Sequence, residues 1–181
     1  MLGDMERLIR RIIPMAKFIY GRISRRIRQS CTLTLKMLNT VFSLQLSKKQ
    51  LHEFAVQLGS DTAFFLYDEP MYATGRGEIL TPIALDLSKY RIEVLCPDIS
   101  ISTAQAYSVI TPKKPETSLK EIIKAPIETW REKLINNFEE VIFKQYPELL
   151  EIKNEFYRRG ALYASMSGSG SGVYGIFKGV G

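Results

Sequence analysis

Two stretches of this chain combine residue types that could do chemistry. In LGSDTAFFL, Asp61 sits just past Gly59 and just before an apolar run. The stretch before it reads as the C-terminus of a helix and the run after it as a short buried strand or its approach. Rigid elements on both sides would hold the carboxylate, which suits a general base taking a proton from a hydroxyl. The same placement suits an aspartate that merely caps the turn after Gly-Ser. In ALYASMSGSGSGVYGIF, residues 161–177, three glycines alternate with three serines between two apolar runs. Gly168, Gly170 and Gly172 let the backbone take positive φ and approach another group closely. The hydroxyls of Ser167, Ser169 and Ser171, with exposed backbone N–H groups, can line an anion-binding concavity. Two strands joined by Gly and Ser also make an ordinary hairpin that holds no ligand. A third stretch, ATGRGE, adds glycines with Arg76 and Glu78, which read either as part of a site or as a loop with a surface ion pair.

The bulk numbers narrow the field. A chain of 181 residues, 45% apolar and 24% charged, has the composition of a globular protein with one substantial domain or two small ones. No run approaches the roughly 20 apolar residues of a membrane span. Cys31 and Cys96 supply neither a disulfide framework nor a spaced metal set, and His52 is the single histidine, so no metal site is expected. A reduced, cytoplasmic compartment is the expectation. Residues 1–30 hold eight basic side chains against Asp4 and Glu6, which accounts for the whole net charge of +6. Nucleic-acid binding would rest on that segment alone, and no aromatic-basic stacking pattern supports it further along.

Behind these stretches lie the elements that must position them. Leu35, Leu38 and Phe42 fall at helical spacing. Ser47 and Gln50 form a capping box, followed by Leu51, Phe54, Ala55 and Leu58 on one face and Gly59 at the C-cap. ILTPIAL and YRIEVLC read as strands. STAQAYSVI is a serine-capped helix, and Pro112 and Pro115 punctuate a loop. Ser118 with Glu121 signals a second capping box. Ile127, Trp130 and Leu134 make a further apolar stripe, and FEEVIF continues in helical spacing. Pro147 suits the first position of a helix carrying Leu149, Ile152 and Phe156 on one face and ending at Gly160. ALYASM and VYGIF are strands flanking the glycine run. The architecture expected is α+β.

Taken in order, LGSDTAFF, YATGRGEILTPI, ISISTAQAYS, NNFEE and ALYASMSGSGSGVYGIF resemble the 4-diphosphocytidyl-2-C-methyl-D-erythritol kinase family of the GHMP kinase superfamily, over about residues 33–177. The resemblance implies a GHMP kinase fold, with a remnant of the N-terminal lobe over 33–80 and a ferredoxin-like C-terminal lobe over 81–181. It implies transfer of the γ-phosphoryl of ATP, with Mg²⁺, to the 2-hydroxyl of the diphosphocytidyl methylerythritol substrate in non-mevalonate isoprenoid precursor synthesis. Asp61 matches the family's catalytic aspartate. Ser167, Gly168, Ser169, Gly170 and Ser171 match a glycine-rich turn near the phosphates. Thr103 and Tyr107 match positions at the cytidine end of the substrate; Tyr107 on a short helix could equally serve packing. Asn137 stands where the family usually has a carboxylate.

Residues 1–32 depart from that pattern. The family's lysine-bearing strand finds no counterpart there. Nor does its phosphate loop, whose glycines wrap phosphates at a helix N-terminus; the stretch preceding TLKMLN is arginine-rich and nearly glycine-free. GRISRR, residues 21–26, can be encoded so that a reading one nucleotide later gives Gly-Gly-Ser-Ala-Asp. Residues from about 16 to 32 are therefore expected to be read out of frame, leaving 1–32 an atypical basic segment. Two functional expectations follow: a small-molecule kinase impaired as written, or a non-catalytic binding remnant of one.

Overall fold

The computed structural model describes residues 25–111 and 116–179, with side chains from Cys31 onward. The N-terminal basic segment up to residue 24, with most of the stretch expected out of frame, and the loop at Pro112 and Pro115 lie outside these residues. The chain divides into two compact units, one ending at Ala84 and one beginning at Leu85.

The first unit is built on α1 (Arg25–Val41) and α2 (Lys48–Leu58). The capping box of α2 closes in both directions: Gln50 N–H donates to Ser47 Oγ at 3.3 Å, and Ser47 N–H donates to Gln50 Oε1 at 2.9 Å. Gly59 ends α2 with φ 175°, an extended conformation open to any residue. The run Thr62–Leu66 is a 3₁₀ helix, not a strand. Its three-residue period turns Ala63 and Leu66 together into a core with Leu35, Leu51, Phe54 and Ala55, while Phe64 stays exposed. Phe42, expected on the α1 stripe, lies beyond the helix end and is 54% exposed. Thr32, at the boundary of the atypical segment, is fully buried and donates to the Thr62 carbonyl at 2.9 Å. A hairpin completes the unit: β1 (Met71–Thr74) pairs antiparallel with β2 (Ile79–Pro82), with Thr74 opposite Ile79.

The second unit centres on a three-stranded antiparallel sheet in the order β3 (Tyr90–Leu95), β5 (Val173–Lys178), β4 (Tyr163–Met166). The central strand β5 is covered on both faces. Val173 and Phe177 pack into one apolar cluster with Ile142, Leu149 and Phe156. Ile176 packs into a second with Ile122, Ile127, Trp130 and Tyr163. At Gly175 the helix α7 (Pro147–Arg158) packs close to the sheet: a Cβ there would stand 2.9 Å from Phe156 Cγ. The remaining helices are α3 (Thr103–Val109), α4 (Leu119–Ile122), α5 (Trp130–Lys133) and α6 (Glu139–Gln145). Pro147 does open α7. The expected box at Ser118 does not close: the Ser118 side chain makes no cap bond, and its backbone carbonyl alone starts the single turn of α4.

Among the described residues, the outer edge of β4 is sealed by side chains and not by another strand. Tyr157 Oη accepts from Ala164 N–H and donates to Ala164 O, both at 3.2 Å. Glu139 Oε1 accepts from Met166 N–H at 2.7 Å, and Asn136 Nδ2 donates to Met166 O at 2.7 Å. A strand edge with its polar groups thus satisfied offers no template for a further strand.

Candidate functional site

The expected site residues fall in both units, and each group is built by its own unit. Asp61 belongs to the first. It occupies the N-cap of the 3₁₀ helix with φ −96° and ψ 1°, but its side chain makes no capping hydrogen bond, so its carboxylate is not the cap of the turn that follows it. Its neighbour Thr62 is pinned from α1 by the Thr32 hydroxyl. The β1–β2 turn closes over it from the other side: Gly77, with φ +106°, lies so near that a Cβ there would stand 3.4 Å from Asp61 Cβ. The ATGRGE stretch is therefore the hairpin turn packed on Asp61. Glu78 does not simply pair with Arg76 across a loop. Its carboxylate accepts the Arg76 backbone N–H at 2.6 Å and fills the space a side chain at Gly75 would need.

His52 ties this arrangement together, and nothing in its sequence neighbourhood singled it out. Nε2 lies 3.0 Å from the Glu78 carbonyl, and Nδ1 lies 3.0 Å from Tyr67 Oη. A carbonyl only accepts, so Nε2 carries a proton, and in the neutral ring Nδ1 then accepts from the Tyr67 hydroxyl. Tyr67 in turn ends the 3₁₀ helix that Asp61 begins.

The second unit holds the glycine run together with Thr103 and Tyr107. The run is the β4–β5 turn, closed by Ser167 N–H donating to Gly172 O at 2.7 Å and Gly170 N–H to Ser167 O at 3.1 Å. Gly168 and Gly170 both have positive φ, 57° and 89°. At Gly170 the reason for glycine is internal: a Cβ would come 2.7 Å from Ile101 Cδ1 and 2.9 Å from Met166 Sδ. Ser169 is buried, whereas Ser167 and Gly168 are exposed.

The NNFE stretch straps this turn. Asn136 Nδ2 donates to Gly168 O at 2.8 Å as well as to Met166 O, and its Oδ1 accepts Phe138 N–H at 2.9 Å. Glu139, 7% exposed, accepts from Ser165 Oγ and Met166 N–H and pairs with Lys153 Nζ at 2.5 Å. Thr103 opens α3, whose N-cap Ser102 accepts from Gln105 N–H. Tyr107, 63% exposed, is not a core residue. Its ring meets Phe138 edge-on at 5.0 Å, two residues from Asn136. Through Phe138, and through Ile101 against Gly170, the start of α3 and the glycine turn are neighbours.

Burial raises the tyrosines behind the turn: Tyr163 holds its proton well above the usual phenol range and Tyr174 is raised as well, both chiefly from desolvation. Among the described residues no group of three or more His, Cys, Asp or Glu converges as a metal cage, and no helix is long and apolar enough to cross a membrane.

Residues 118–179 match the family model described as GHMP kinases C terminal. This stretch is a GHMP kinase C-terminal domain. Beyond it, the chain is 51% identical over 144 residues to a 4-diphosphocytidyl-2-C-methyl-D-erythritol kinase of Bacteroides thetaiotaomicron, covering 80% of this chain and 53% of that protein. It is 44% identical over 171 residues to the protein of the same name from Azobacteroides pseudotrichonymphae, covering 94% of this chain and 62% of the other. A crystal structure of 4-(cytidine 5'-diphospho)-2C-methyl-D-erythritol kinase superposes with TM-score 0.69 and 28% identity, over 82% of this chain and 54% of that one. The chain spans about half the length of the curated relatives it matches. In the GHMP kinase domain, the sealed β4 edge and the glycine turn form one continuous construction from Asn136 to Gly172.

Proposed function

We propose that this chain carries the base and the glycine-rich turn of an ATP-dependent kinase that phosphorylates the 2-hydroxyl of 4-diphosphocytidyl-2-C-methyl-D-erythritol, in isoprenoid precursor synthesis in the cytoplasm. The identity of 51% over 144 residues to a relative of that name carries the reading. In the reaction the substrate hydroxyl gives its proton to Asp61, its oxygen bonds to the γ-phosphorus, and the bond from that phosphorus to the ADP oxygen breaks. Such transfers depend mainly on positioning and on charge stabilisation. Asp61 suits the base because its carboxylate has no capping duty in its own helix. The Ser167–Ser171 turn suits phosphate oxygens through its hydroxyls and exposed backbone, and Thr103 and Tyr107 suit the cytidine end. Tyr107 offers an exposed ring for stacking.

Mg²⁺ entering with the nucleotide keeps most of its ligands from water and phosphate. The serine hydroxyls of the Ser167–Ser171 turn are hard oxygen donors of the right type, and the ion would supply charge neutralisation on the phosphates. Turnover by the chain as given is expected to be impaired. The second reading, a binding remnant without turnover, is favoured by the single glycine, Gly21, in residues 14–32, where the resembling family carries its phosphate loop. The test is transfer of label from γ-labelled ATP to the diphosphocytidyl substrate by the 181-residue chain, alongside calorimetric titration with that substrate. Transfer supports the kinase; binding without transfer supports the remnant; neither overturns both.

A further inference from the structure

We propose that His52 is a positioning residue for Asp61, acting through the β1–β2 hairpin; this rests on the reading of Asp61 as the base. Asp61, Tyr67, His52, Glu78 and Gly77 close a ring. The 3₁₀ helix Thr62–Leu66 separates Asp61 from Tyr67 and has both as its caps. The Tyr67 hydroxyl donates to His52 Nδ1 at 3.0 Å, and His52 Nε2–H donates to the Glu78 carbonyl at 3.0 Å. Glu78 adjoins Gly77, and Gly77 neighbours Asp61 so that a Cβ there would be in van der Waals contact with it. In the ring one side chain of α2 bonds both to the hairpin turn and to the far end of Asp61's helix.

The chemistry of the two partners makes histidine specific here. The Glu78 carbonyl needs a donor, while Tyr67 Oη needs an acceptor for its proton. A neutral imidazole with its proton on Nε2 supplies both from one rigid plane. Lys48 Nζ stands 4.3 Å from the centre of the Tyr67 ring, so the phenol is braced from α2 as well. A two-stranded hairpin is marginally stable by itself, and without the imidazole its turn loses the bond that draws it toward α2. The Asp61 carboxylate would then sample more than one orientation, which costs turnover and leaves substrate affinity alone.

The test uses the full chain with uniform ¹⁵N labelling. Two-bond ¹⁵N–¹H spectra of His52 should show the Nε2–H tautomer, and the Gly77 amide, which donates to Thr74 O, reports the turn. In His52→Phe the Gly77 and Thr62 amides should exchange with solvent at least tenfold faster while that of Met166, in the second unit, stays unchanged. In His52→Gln, which keeps a donor for Glu78, exchange should return toward that of the unsubstituted chain. Where phosphoryl transfer is measurable, His52→Phe should lower kcat at least tenfold with KM within twofold. An Nδ1–H tautomer, unchanged exchange at Gly77 in His52→Phe, or a change in KM alone would overturn the proposal. The expected tautomer and exchange pattern with no transfer by any chain would uphold the ring and defeat the kinase reading separately.

Discussion

Gly77 neighbours Asp61 across the hairpin turn: a Cβ at Gly77 would make ordinary van der Waals contact with Asp61, 3.4 Å from its Cβ and 3.5 Å from its Cα. Its φ of +106° is one that side-chain-bearing residues rarely adopt. Gly77→Ala should therefore destabilise the first unit by about 1–2 kcal/mol from backbone strain. Relief of that strain would lift the turn from Asp61, so turnover should fall by more than the folded fraction does. Urea unfolding read beside phosphoryl transfer separates the two effects, and equal losses in both would make Gly77 a stability residue only.

Asp61→Asn keeps shape and removes the base. Because the amide keeps the size and shape of the carboxylate, the variant should still fold, which thermal melting checks. Phosphoryl transfer should fall about 10²–10⁴-fold, the usual contribution of a positioned base. Transfer within threefold of the unsubstituted chain would remove Asp61 from that role.

Legibility in the sequence followed the range of the interactions. The Ser47–Gln50 box, Pro147 at the head of α7 and the strands on each side of the glycine run are set by neighbours within a few residues, and all were readable. Thr62–Leu66 was not, because five apolar-rich residues fit a strand or a 3₁₀ turn equally until Ala63 and Leu66 find the same core. Strand β1 hid among turn formers, since Met71–Thr74 becomes a strand only by pairing with β2. Asp61, the hairpin turn and the glycine run drew notice by residue type. The groups that hold them did not: His52 finds its partners 15 and 26 residues away, and Asn136 finds its own 30 and 32 residues away.

Asn136→Ala tests the strap on the glycine turn. It removes the two donors that satisfy Met166 O and Gly168 O, together with the acceptor for Phe138 N–H. The loss should be about 1–3 kcal/mol, from the part-buried Met166 O and Phe138 N–H left unpaired, since the exposed Gly168 O can turn to water. Asn136→Asp should be at least as costly, because a carboxylate turned toward two carbonyls replaces attraction with repulsion. Denaturant midpoints of the three chains check the order; an Asp variant as stable as Asn would mean that the strap does not hold the turn.

Lys153→Met should cost about 3–5 kcal/mol, because it leaves the Glu139 carboxylate buried without its cation. Glu139 still accepts from Ser165 and Met166, so the double variant Glu139→Gln/Lys153→Met should recover much of the loss by removing the charge while keeping an acceptor. A double-mutant cycle in urea measures the coupling. Losses that simply add would show that the pair contributes nothing beyond its separate side chains.

The buried tyrosines set a limit on alkaline stability. Tyr163 donates to Leu134 O at 2.7 Å, and desolvation raises its proton affinity and that of Tyr174 in the folded chain. An unfolded tyrosine titrates near about 10. Above that pH the unfolded chain releases protons that the native chain retains, so the native state binds more protons and stability falls as pH rises. The contribution is fully present below about pH 10 and is lost as pH climbs toward the raised native values. Melting temperatures measured from pH 8 to 11 should therefore hold level and then drop past about pH 10, where lysines also begin to titrate. Tyr163→Phe should start lower by about 1 kcal/mol for the lost hydrogen bond but show a shallower alkaline slope. An unchanged slope in that variant would assign the alkaline loss to other groups.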